Sequence, residues 1–478
     1  MVFHSLIFSV FLLITFIFYW ILDKYSLRKQ NLFVLIASYF FYGWWDWRFL
    51  SLIVFTSLVS YYSALKIEDA VDVRWKKIWL SIPIIVNIAI LVFFKYFDFF
   101  IESFVIASNT FGVQANYHSL KIILPLGISF YTFQALGYTI DVYRGKISHE
   151  RDAVAFLAFV TFFPQLVAGP IERATALLPQ FGVRRQFSFD NAADGMRQML
   201  WGFFKKIFIA DNLAPYVQTV YSNIEDQTGA NLVLGTFFFA IQIYADFSGY
   251  SDIALGCSRL FGFRLMRNFA YPHFSRSMSE RWRRWHISLS SWFKDYLYFP
   301  LGGSRVSQSR KVFNTMATFT ISGLWHGANW TYVLWGFLNG LFVVPNMLNR
   351  NRKKEPDIVA HGRLFPTPRE FLQILGTFGL TLISYVFFRA ANMHDVISIF
   401  RQLMTNNFYE VGKYDGYLFP IVICLSMLIL EWFQRERQYA LEIENIHPTL
   451  RWGIYYSVII LILVYGRFGS NDFIYFQF

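Results

Sequence analysis

Charged residues are scarce in this chain of 478 residues. Asp, Glu, Lys and Arg make up 15% of it, whereas soluble domains average about 25%. Hydrophobic residues reach 55%, with 56 Phe and 15 Trp, and so few charges cannot cover so much aromatic surface in water. A soluble fold is therefore excluded, and the composition predicts an integral membrane protein.

Cysteine is also scarce, since only Cys257 and Cys424 are present and both lie in apolar stretches. These positions favour buried thiols and indicate neither a disulfide framework nor a thiolate metal site. The 43 Lys and Arg outnumber the 31 Asp and Glu, which suits either nucleic acid or an anionic membrane face. Because the basic residues lie in short segments between apolar runs, we expect the lipid bilayer, and no nucleic acid, as the partner.

Apolar runs recur along the whole chain, and a helix needs roughly 20 apolar residues to cross a bilayer. The runs lie at 2–22, 31–45, 49–65, 78–101, 121–141, 153–170, 193–220, 230–262, 312–349, 370–390, 416–433 and 452–467. We expect an all-α integral membrane protein with about eleven transmembrane helices plus re-entrant and amphipathic helices. One polytopic domain is expected over 1–478. The first residues lack the basic start of a signal peptide, so 2–22 is predicted to remain as the first span.

Lys and Arg in the short connectors set the expected orientation. Basic clusters occur at 24–29, 74–77 and 144–151, and the connector 102–120 has Glu102 as its only charged residue. We therefore expect the basic clusters on the cytoplasmic side and the N-terminus outside.

Some runs contain residues that lipid-facing helices avoid. The prolines in Phe163-Pro-Gln-Leu-Val-Ala-Gly-Pro-Ile171 would break a helix at membrane depth. Irregular backbone is tolerated there only inside protein or beside a water-filled cavity, so this stretch predicts a re-entrant element. The runs 230–262 and 312–349 carry Gly, Ser, Asn and His or Asp and are expected to line a cavity.

Two carboxylates, Asp246 and Asp252, lie within the run 230–262. Their separation does not place them on one helix face, although Gly249 could break the helix between them. We expect structural hydrogen bonding inside the bundle rather than a paired-carboxylate acid–base site.

His326 lies in Ile321-Ser-Gly-Leu-Trp-His-Gly-Ala-Asn-Trp330, and no Asp, Glu, Lys or Arg occurs between Lys311 and Arg350. An ionisable side chain at membrane depth is costly and indicates function by default. The alternative is a neutral imidazole that joins two helices by hydrogen bonds.

His286 lies in the stretch 279–294, which reads as a helix that mixes Arg with Trp. Such a mixture is typical of an amphipathic segment at the headgroup level. The alternative is that guanidiniums of this stretch, Arg281 and Arg284 among them, bind the phosphates of an anionic cytosolic donor. His286 could then reach inward toward His326.

Two histidines suit acyl transfer, because an imidazole can take the proton of an alcohol that attacks a thioester. Such a donor needs no metal. The spacing of His286, His326 and Asp295 matches no short metal motif, so neither a metal nor a resident cofactor is expected.

These stretches together resemble the membrane-bound O-acyltransferase family, in the bacterial branch that includes alginate O-acetylation and teichoic acid D-alanylation proteins. The resemblance is carried by Asn31–Trp44, Phe163–Ile171, Tyr244–Gly256, Trp282–Ser290 and Gly323–Trp330. It implies a ring of transmembrane helices around a central funnel, in the cytoplasmic (inner) membrane of a bacterium. It also implies that His326 is the catalytic histidine and that His286 is the second polar residue of the site. Trp285, Trp325, Arg281, Arg284 and Asn329 are the further candidates for contacts with substrate or donor.

The function implied is transfer of an acetyl group from a cytosolic donor, acetyl-CoA, to an acceptor outside, for O-acetylation of an exported polysaccharide such as alginate. The acceptor is expected to be a partner protein, an SGNH-like extracytoplasmic acetyltransferase. Three alternatives remain open: D-alanyl transfer from a carrier protein to a cell-wall polymer, a transporter or flippase, and a scaffold for polysaccharide export. A transporter should show an internal repeat with matching broken helices, and none is present.

Overall fold

α-Helices form nearly all of the regular structure, and no β-strand occurs among the residues described. The computed structural model describes residues 1–478 except 115, 118, 121, 168, 350–355, 405–415, 470–472 and 475–478. In the N-terminal half the helices are α1 (Leu6–Leu22), α2 (Leu27–Asp46), α3 (Leu50–Asp69), α4 (Val73–Leu91), α5 (Phe97–Thr110), α6 (Ile128–Tyr143), α7 (Ala153–Thr161), α8 (Phe163–Leu166), α9 (Ala174–Phe181), α10 (Phe189–Phe203) and α11 (Asp211–Ser222). In the C-terminal half they are α12 (Gly229–Leu260), α13 (Met278–Arg284), α14 (Ile287–Phe293), α15 (Gln308–His326), α16 (Trp330–Leu348), α17 (Pro368–Arg389), α18 (Met393–Leu403), α19 (Leu418–Phe433) and α20 (Pro448–Tyr465).

Six helical stretches among the described residues are long and apolar enough to cross a membrane. They are Leu27–Asp69, Val73–Thr110, Gly229–Leu260, Trp330–Leu348, Pro368–Arg389 and Pro448–Tyr465. Helices α1 and α19 are apolar but shorter. The predicted multi-pass, all-helical class is confirmed, whereas the number of about eleven crossings stays a prediction.

Helix α12 runs through the middle of the bundle and is largely buried. It is continuous over 32 residues, about 48 Å at 1.5 Å per residue. The suggested break at Gly249 is therefore wrong. A Cβ on Gly249 would lie 2.8 Å from the carbonyl oxygen of Gly202, so glycine here permits close packing of α10 against α12.

The carboxylates of α12 form hydrogen bonds and ion pairs inside the bundle, as predicted. Lys205 Nζ lies 2.5 Å from Asp252, and Lys206 Nζ lies 2.9 Å from Asp246. Both lysines come from the π-helical segment Phe204–Ala210 that joins α10 to α11. These pairs neutralise the charge of α12, whose burial would otherwise be costly.

The helical runs are interrupted at two places, and the break predicted at Pro164 is confirmed. Residues 312–349 form α15 and α16, which are separated at Gly327, where the backbone is extended. α15 and α16 cross closely, since a Cβ on Gly323 would clash with the carbonyl oxygen of Tyr332. Around Pro164, α7 ends and the four-residue helix α8 follows before the chain leaves helical conformation.

Candidate active site

His326 is the last residue of α15, and its side chain is buried within the bundle. Its ring lies edge-on to Trp335, at 4.9 Å between centroids, and 5.4 Å from the ring of Phe388. The preceding residue, Trp325, is buried beside it, with centroids 5.0 Å apart. Because α15 ends abruptly at Gly327, the imidazole lies at a helix end in the interior, which is where the sequence predicts a functional histidine.

One side of His326 faces a cavity of about 490 Å³. The lining comes from the first residues of the chain, the end of α2, the stretch 124–130, Val167, Lys95, Trp325 and His326. The irregular stretch after α8 thus lies beside a cavity, as predicted. We call this cavity the N-face cavity, because it lies where α1 begins.

His286 lies between α13 and α14 in a left-handed backbone conformation, with φ 45°. The stretch predicted as a single amphipathic helix is thus two helices joined at this residue. The left-handed conformation costs about 1–2 kcal/mol for a residue with a Cβ, and such strain clusters at functional sites. The conformation is held by Asn268, whose backbone oxygen accepts from Ile287 N at 2.9 Å.

The side chain of Asn268 also fixes the imidazole of His286. Asn268 Oδ1 lies 3.1 Å from His286 Nδ1 and accepts hydrogen bonds from both the backbone and the hydroxyl of Ser288. Since an amide oxygen only accepts, Nδ1 carries the proton and Nε2 carries the lone pair. Among the described residues, no hydrogen-bond partner of Nε2 is found.

Trp325 brings the two histidines together. Its ring centroid lies 6.2 Å from that of His286 and 5.0 Å from that of His326. Phe130 and Phe133 pack against the same indole, at 5.7 and 5.6 Å. The two imidazoles therefore flank one aromatic wall, in surroundings with few polar atoms.

The other candidates of the stretch 279–294 are engaged within the protein. Arg281 is buried, donates to Tyr385 Oη at 2.7 Å and lies over the ring of Trp285 at 4.8 Å. Arg284 forms an ion pair with Glu280 at 2.9 Å. Both guanidiniums are bound to side chains of the protein itself, and binding of a donor by Arg281, Arg284 or Trp285 stays a prediction.

Asn329 caps the next helix, because its Oδ1 accepts from Thr331 N at 3.0 Å at the start of α16. Its Nδ2 donates to the carbonyl oxygen of Ala391 at 2.8 Å. It thus holds the turn that follows His326, and its predicted contact with substrate or donor is likewise untested.

A second cavity, of about 510 Å³, lies between the start of α10 and the end of α12. We call it the C-face cavity. It is lined by Asp190, Asn191, Asp194, Arg259, Gly262, Phe263, Arg264, Leu265, Gln438, Tyr439, Glu442 and Glu444. Tyr19, near the end of α1, donates to the carbonyl oxygen of Phe261 at 2.7 Å, so the two cavities lie toward opposite ends of α1.

A narrow polar gap extends from the C-face cavity toward the histidines. The gap shares Gln438 and Tyr439 with the C-face cavity and reaches Asn268. Asn268 is the partner of His286, so the gap ends beside His286, whereas His326 lines the N-face cavity. In the described part of the chain, no group of three or more His, Cys, Asp or Glu side chains is placed to hold a metal.

Two polar residues near the histidines were missed by the sequence analysis. Lys95 lies in the apolar run 78–101 and donates to the carbonyl oxygens of Trp325 and His326. A single lysine inside an apolar run is itself a signal of function at membrane depth and could have been found. Asn268 follows a basic connector, and no local pattern indicates its contact with His286.

Comparison with known proteins assigns the chain to a family. Residues 146–385 match the model of the membrane-bound O-acyltransferase family. The probable alginate O-acetylase of Azotobacter vinelandii is 40% identical over 369 residues, 77% of this chain and 71% of that protein. The peptidoglycan O-acetyltransferase of Helicobacter pylori is 32% identical over 428 residues, 83% of this chain and 78% of that protein.

A more distant relative is the teichoic acid D-alanyltransferase of Streptococcus thermophilus. It is 30% identical over 288 residues, 55% of this chain and 68% of that protein. The matches span the histidines and the helices that hold them, in an all-helical multi-pass membrane protein. The chain therefore belongs to the membrane-bound O-acyltransferase family and is an O-acyltransferase.

Proposed function

We propose that this protein transfers an acetyl group from cytosolic acetyl-CoA to a hydroxyl on the outer side of a bacterial inner membrane. The product serves O-acetylation of an exported polysaccharide such as alginate, through an SGNH-like partner outside the membrane. The observation that carries the proposal is the position of His326, which is buried beside His286 yet faces a cavity of about 490 Å³. The names of the alginate and peptidoglycan O-acetylating relatives support the acetyl group and the polysaccharide.

In the proposed reaction, His326 is the general base. Its imidazole takes the proton of the acceptor hydroxyl while the hydroxyl oxygen attacks the acetyl carbon. The C–O bond forms, the C–S bond breaks, and the proton passes to the leaving thiolate, so that the products are an acetyl ester and free CoA thiol. A positioned general base contributes about 10²–10⁴-fold to the rate.

His286 is proposed to orient the acceptor hydroxyl. The sequence analysis leaves open whether it orients the hydroxyl or donates to the developing negative charge. Because Nδ1 donates to Asn268, a neutral His286 has only a lone pair at Nε2, which supports the orienting role. The aromatic rings of Phe130, Phe133 and Trp325 around the two imidazoles support exclusion of water, which would otherwise hydrolyse the thioester.

The donor is proposed to enter through the C-face cavity and the acceptor through the N-face cavity. Two observations support this assignment. The N-face cavity lies where α1 begins, the side that the distribution of basic residues predicts to be outside. Arg264, which is exposed, lines the C-face cavity, and a guanidinium suits a phosphate of CoA; Arg259 in the same lining is already paired with Asp194.

The test uses the purified protein in proteoliposomes with radiolabelled acetyl-CoA outside, and with the SGNH-like partner and oligomannuronate enclosed. The variants are His326→Gln and, as a matched control, His394→Gln, because His394 is exposed and distant in sequence from the motif. We expect His326-dependent release of CoA thiol and labelled oligosaccharide inside, with wild-type rates for His394→Gln. Full transfer by His326→Gln would remove His326 from the mechanism.

D-alanyl transfer is the second candidate function. The similarity to the teichoic acid D-alanyltransferase of Streptococcus thermophilus favours it specifically. The same proteoliposomes are offered a D-alanyl carrier protein in place of acetyl-CoA. Turnover with the carrier and none with acetyl-CoA would establish the second candidate and reject the first.

A further inference from the structure

The C-terminal end of α15 is held by two consecutive side chains of another helical stretch. Lys95 Nζ donates to the carbonyl oxygens of Trp325 and His326 at 2.8 and 3.0 Å. Tyr96 Oη donates to the carbonyl oxygen of Leu324 at 2.9 Å. Three successive carbonyls, ending at His326, are therefore bound by residues some 230 positions earlier in the chain.

This helix end needs such partners. The last carbonyls of any helix lack N–H partners within the helix, and a membrane interior offers no bulk water to replace them. Gly327 is extended, with φ −167° and ψ 156°, so the chain turns away instead of capping the helix with its own backbone. The ammonium of Lys95 also opposes the partial negative charge at the end of α15.

The local structure around Lys95 is unusual. Residues Val92–Tyr96 form a π-helical segment between α4 and α5. The wider π turn reduces the angle between consecutive side chains, so Lys95 and Tyr96 both reach the end of α15. Single π turns are rare and occur frequently at functional sites.

Lys95 also lines the N-face cavity together with His326. A lysine at this depth is expensive, and in the described part of the chain its hydrogen bonds go to backbone carbonyls rather than to a carboxylate. An uncharged donor could cap a helix end at lower cost. Because Lys95 and His326 line the same cavity, we expect the charge of the lysine to serve the site.

We propose that Lys95 is a positioning residue for the acyl transfer, because its ammonium holds the end of α15 so that the His326 imidazole faces the N-face cavity at a fixed depth. Tyr96 assists by holding the carbonyl one residue before Trp325. The proposal rests on the proposed role of His326 as the base. It assigns no contact between Lys95 and the substrate.

The test compares Lys95→Met, Lys95→Arg and Tyr96→Phe in full-length protein in proteoliposomes with acetyl-CoA. Lys311→Met is the matched control, because Lys311 Nζ likewise donates to a carbonyl at the end of a helix, that of Met347, at 3.3 Å. Two experiments are made. Steady-state kinetics gives kcat and KM for acetyl-CoA, and hydrogen–deuterium exchange is followed in peptides covering 320–332.

For Lys95→Met we expect kcat to fall by about 100-fold, as a misplacement of about 1 Å can cause, with KM unchanged. Exchange at the end of α15 should become faster. Lys95→Arg should recover most of the rate, because a guanidinium also donates to two carbonyls, and Tyr96→Phe should show a smaller loss. Lys311→Met should match the wild type in kcat and in exchange over 320–332.

The exchange measurement does not depend on the identity of the reaction. If wild-type protein turns over no acetyl-CoA, the proposed function fails. Faster exchange in Lys95→Met would still show that Lys95 holds the end of α15. Unchanged exchange in Lys95→Met would overturn the inference whatever the activity. So would a Lys95→Met variant with wild-type kcat, or a loss of kcat that Lys95→Arg fails to recover.

Discussion

Asn268 Oδ1 lies 3.1 Å from His286 Nδ1, and this contact sets both the tautomer and the orientation of the imidazole. The backbone oxygen of Asn268 also accepts a hydrogen bond from the N–H of Ile287, the residue that follows His286. One asparagine thus holds the backbone and the ring of His286 together. We expect its loss to affect the site more than the fold.

The variant Asn268→Leu should leave His286 Nδ1 buried without an acceptor, at a cost of about 1–3 kcal/mol in the free energy of unfolding. If misorientation of His286 raises the activation free energy by about 1.4 kcal/mol, kcat falls about tenfold. Asn87→Leu is the control, because Asn87 is also buried and, within the described residues, its side chain donates to Pro83 O on its own helix and to no other element. It should lower the unfolding temperature and leave kcat unchanged. Equal kcat in both variants would contradict the role of Asn268.

Helices α15 and α16 are in close contact at Gly323, and a substitution there tests this contact. A Cβ on Gly323 would lie 2.9 Å from the Cα of Gly336, so Gly323→Ala should push the two helices apart at a cost of about 1–3 kcal/mol. Because α15 carries His326, the rate of acyl transfer should fall as well. Gly376→Ala on α17 is the control, since a Cβ there meets no atom within 4 Å. An unchanged rate and unfolding temperature in Gly323→Ala would show that the crossing tolerates a methyl group.

Phe473 packs against a neighbour of the site. Its ring lies 5.6 Å from Phe247, which in turn lies edge-on to His286 at 4.7 Å. Phe473→Ala should lower the free energy of unfolding by about 3–5 kcal/mol, as for other buried phenylalanines, and should reduce the rate because Phe247 loses its support. Phe468→Ala, at a side chain that is 54% exposed, should change neither. Wild-type stability in Phe473→Ala would mean that the Phe473 ring does not pack into the core.

Glu172 should make stability depend on pH. It lies in the connector between α8 and α9, and burial raises its pKa from 4.5 to about 8. Between these values the folded protein binds a proton that the unfolded chain has released, so the free energy of unfolding falls as the pH rises. Glu172→Gln cannot ionise, and its unfolding temperature should therefore fall less than that of the wild type between pH 5 and pH 8.

The control for this titration is Glu436→Gln. The backbone N–H of Gly362 lowers the pKa of Glu436, so this exposed carboxylate is ionised in both states above pH 5. Its replacement should leave the slope of unfolding temperature against pH unchanged. Identical slopes for Glu172→Gln and the wild type would show that Glu172 is already ionised in the folded protein.

The membrane class of the protein, the break at Pro164 and the two histidines could be predicted from local signals. An excess of apolar residues over charges requires a membrane, and Pro164 interrupts a helix because proline has no N–H to donate. His326 is noticeable because an ionisable residue in an apolar run is rare whatever surrounds it. Gly249 shows the limit of such signals, since glycine permits a break but here permits close packing against Gly202.

The partners of each polar side chain were decided only by the tertiary structure. Arg281 reads as a headgroup or phosphate ligand in sequence but is bound to Tyr385, which lies 104 positions away. Lys95 binds a carbonyl at the end of α15 that lies 230 positions later in the chain. This contact depends on which helix faces pack together. Spacing along the chain determines the face that a residue occupies on its own helix. The packing of all the helices determines what that face contacts, so the environment of His286 and His326 belongs to the tertiary structure alone.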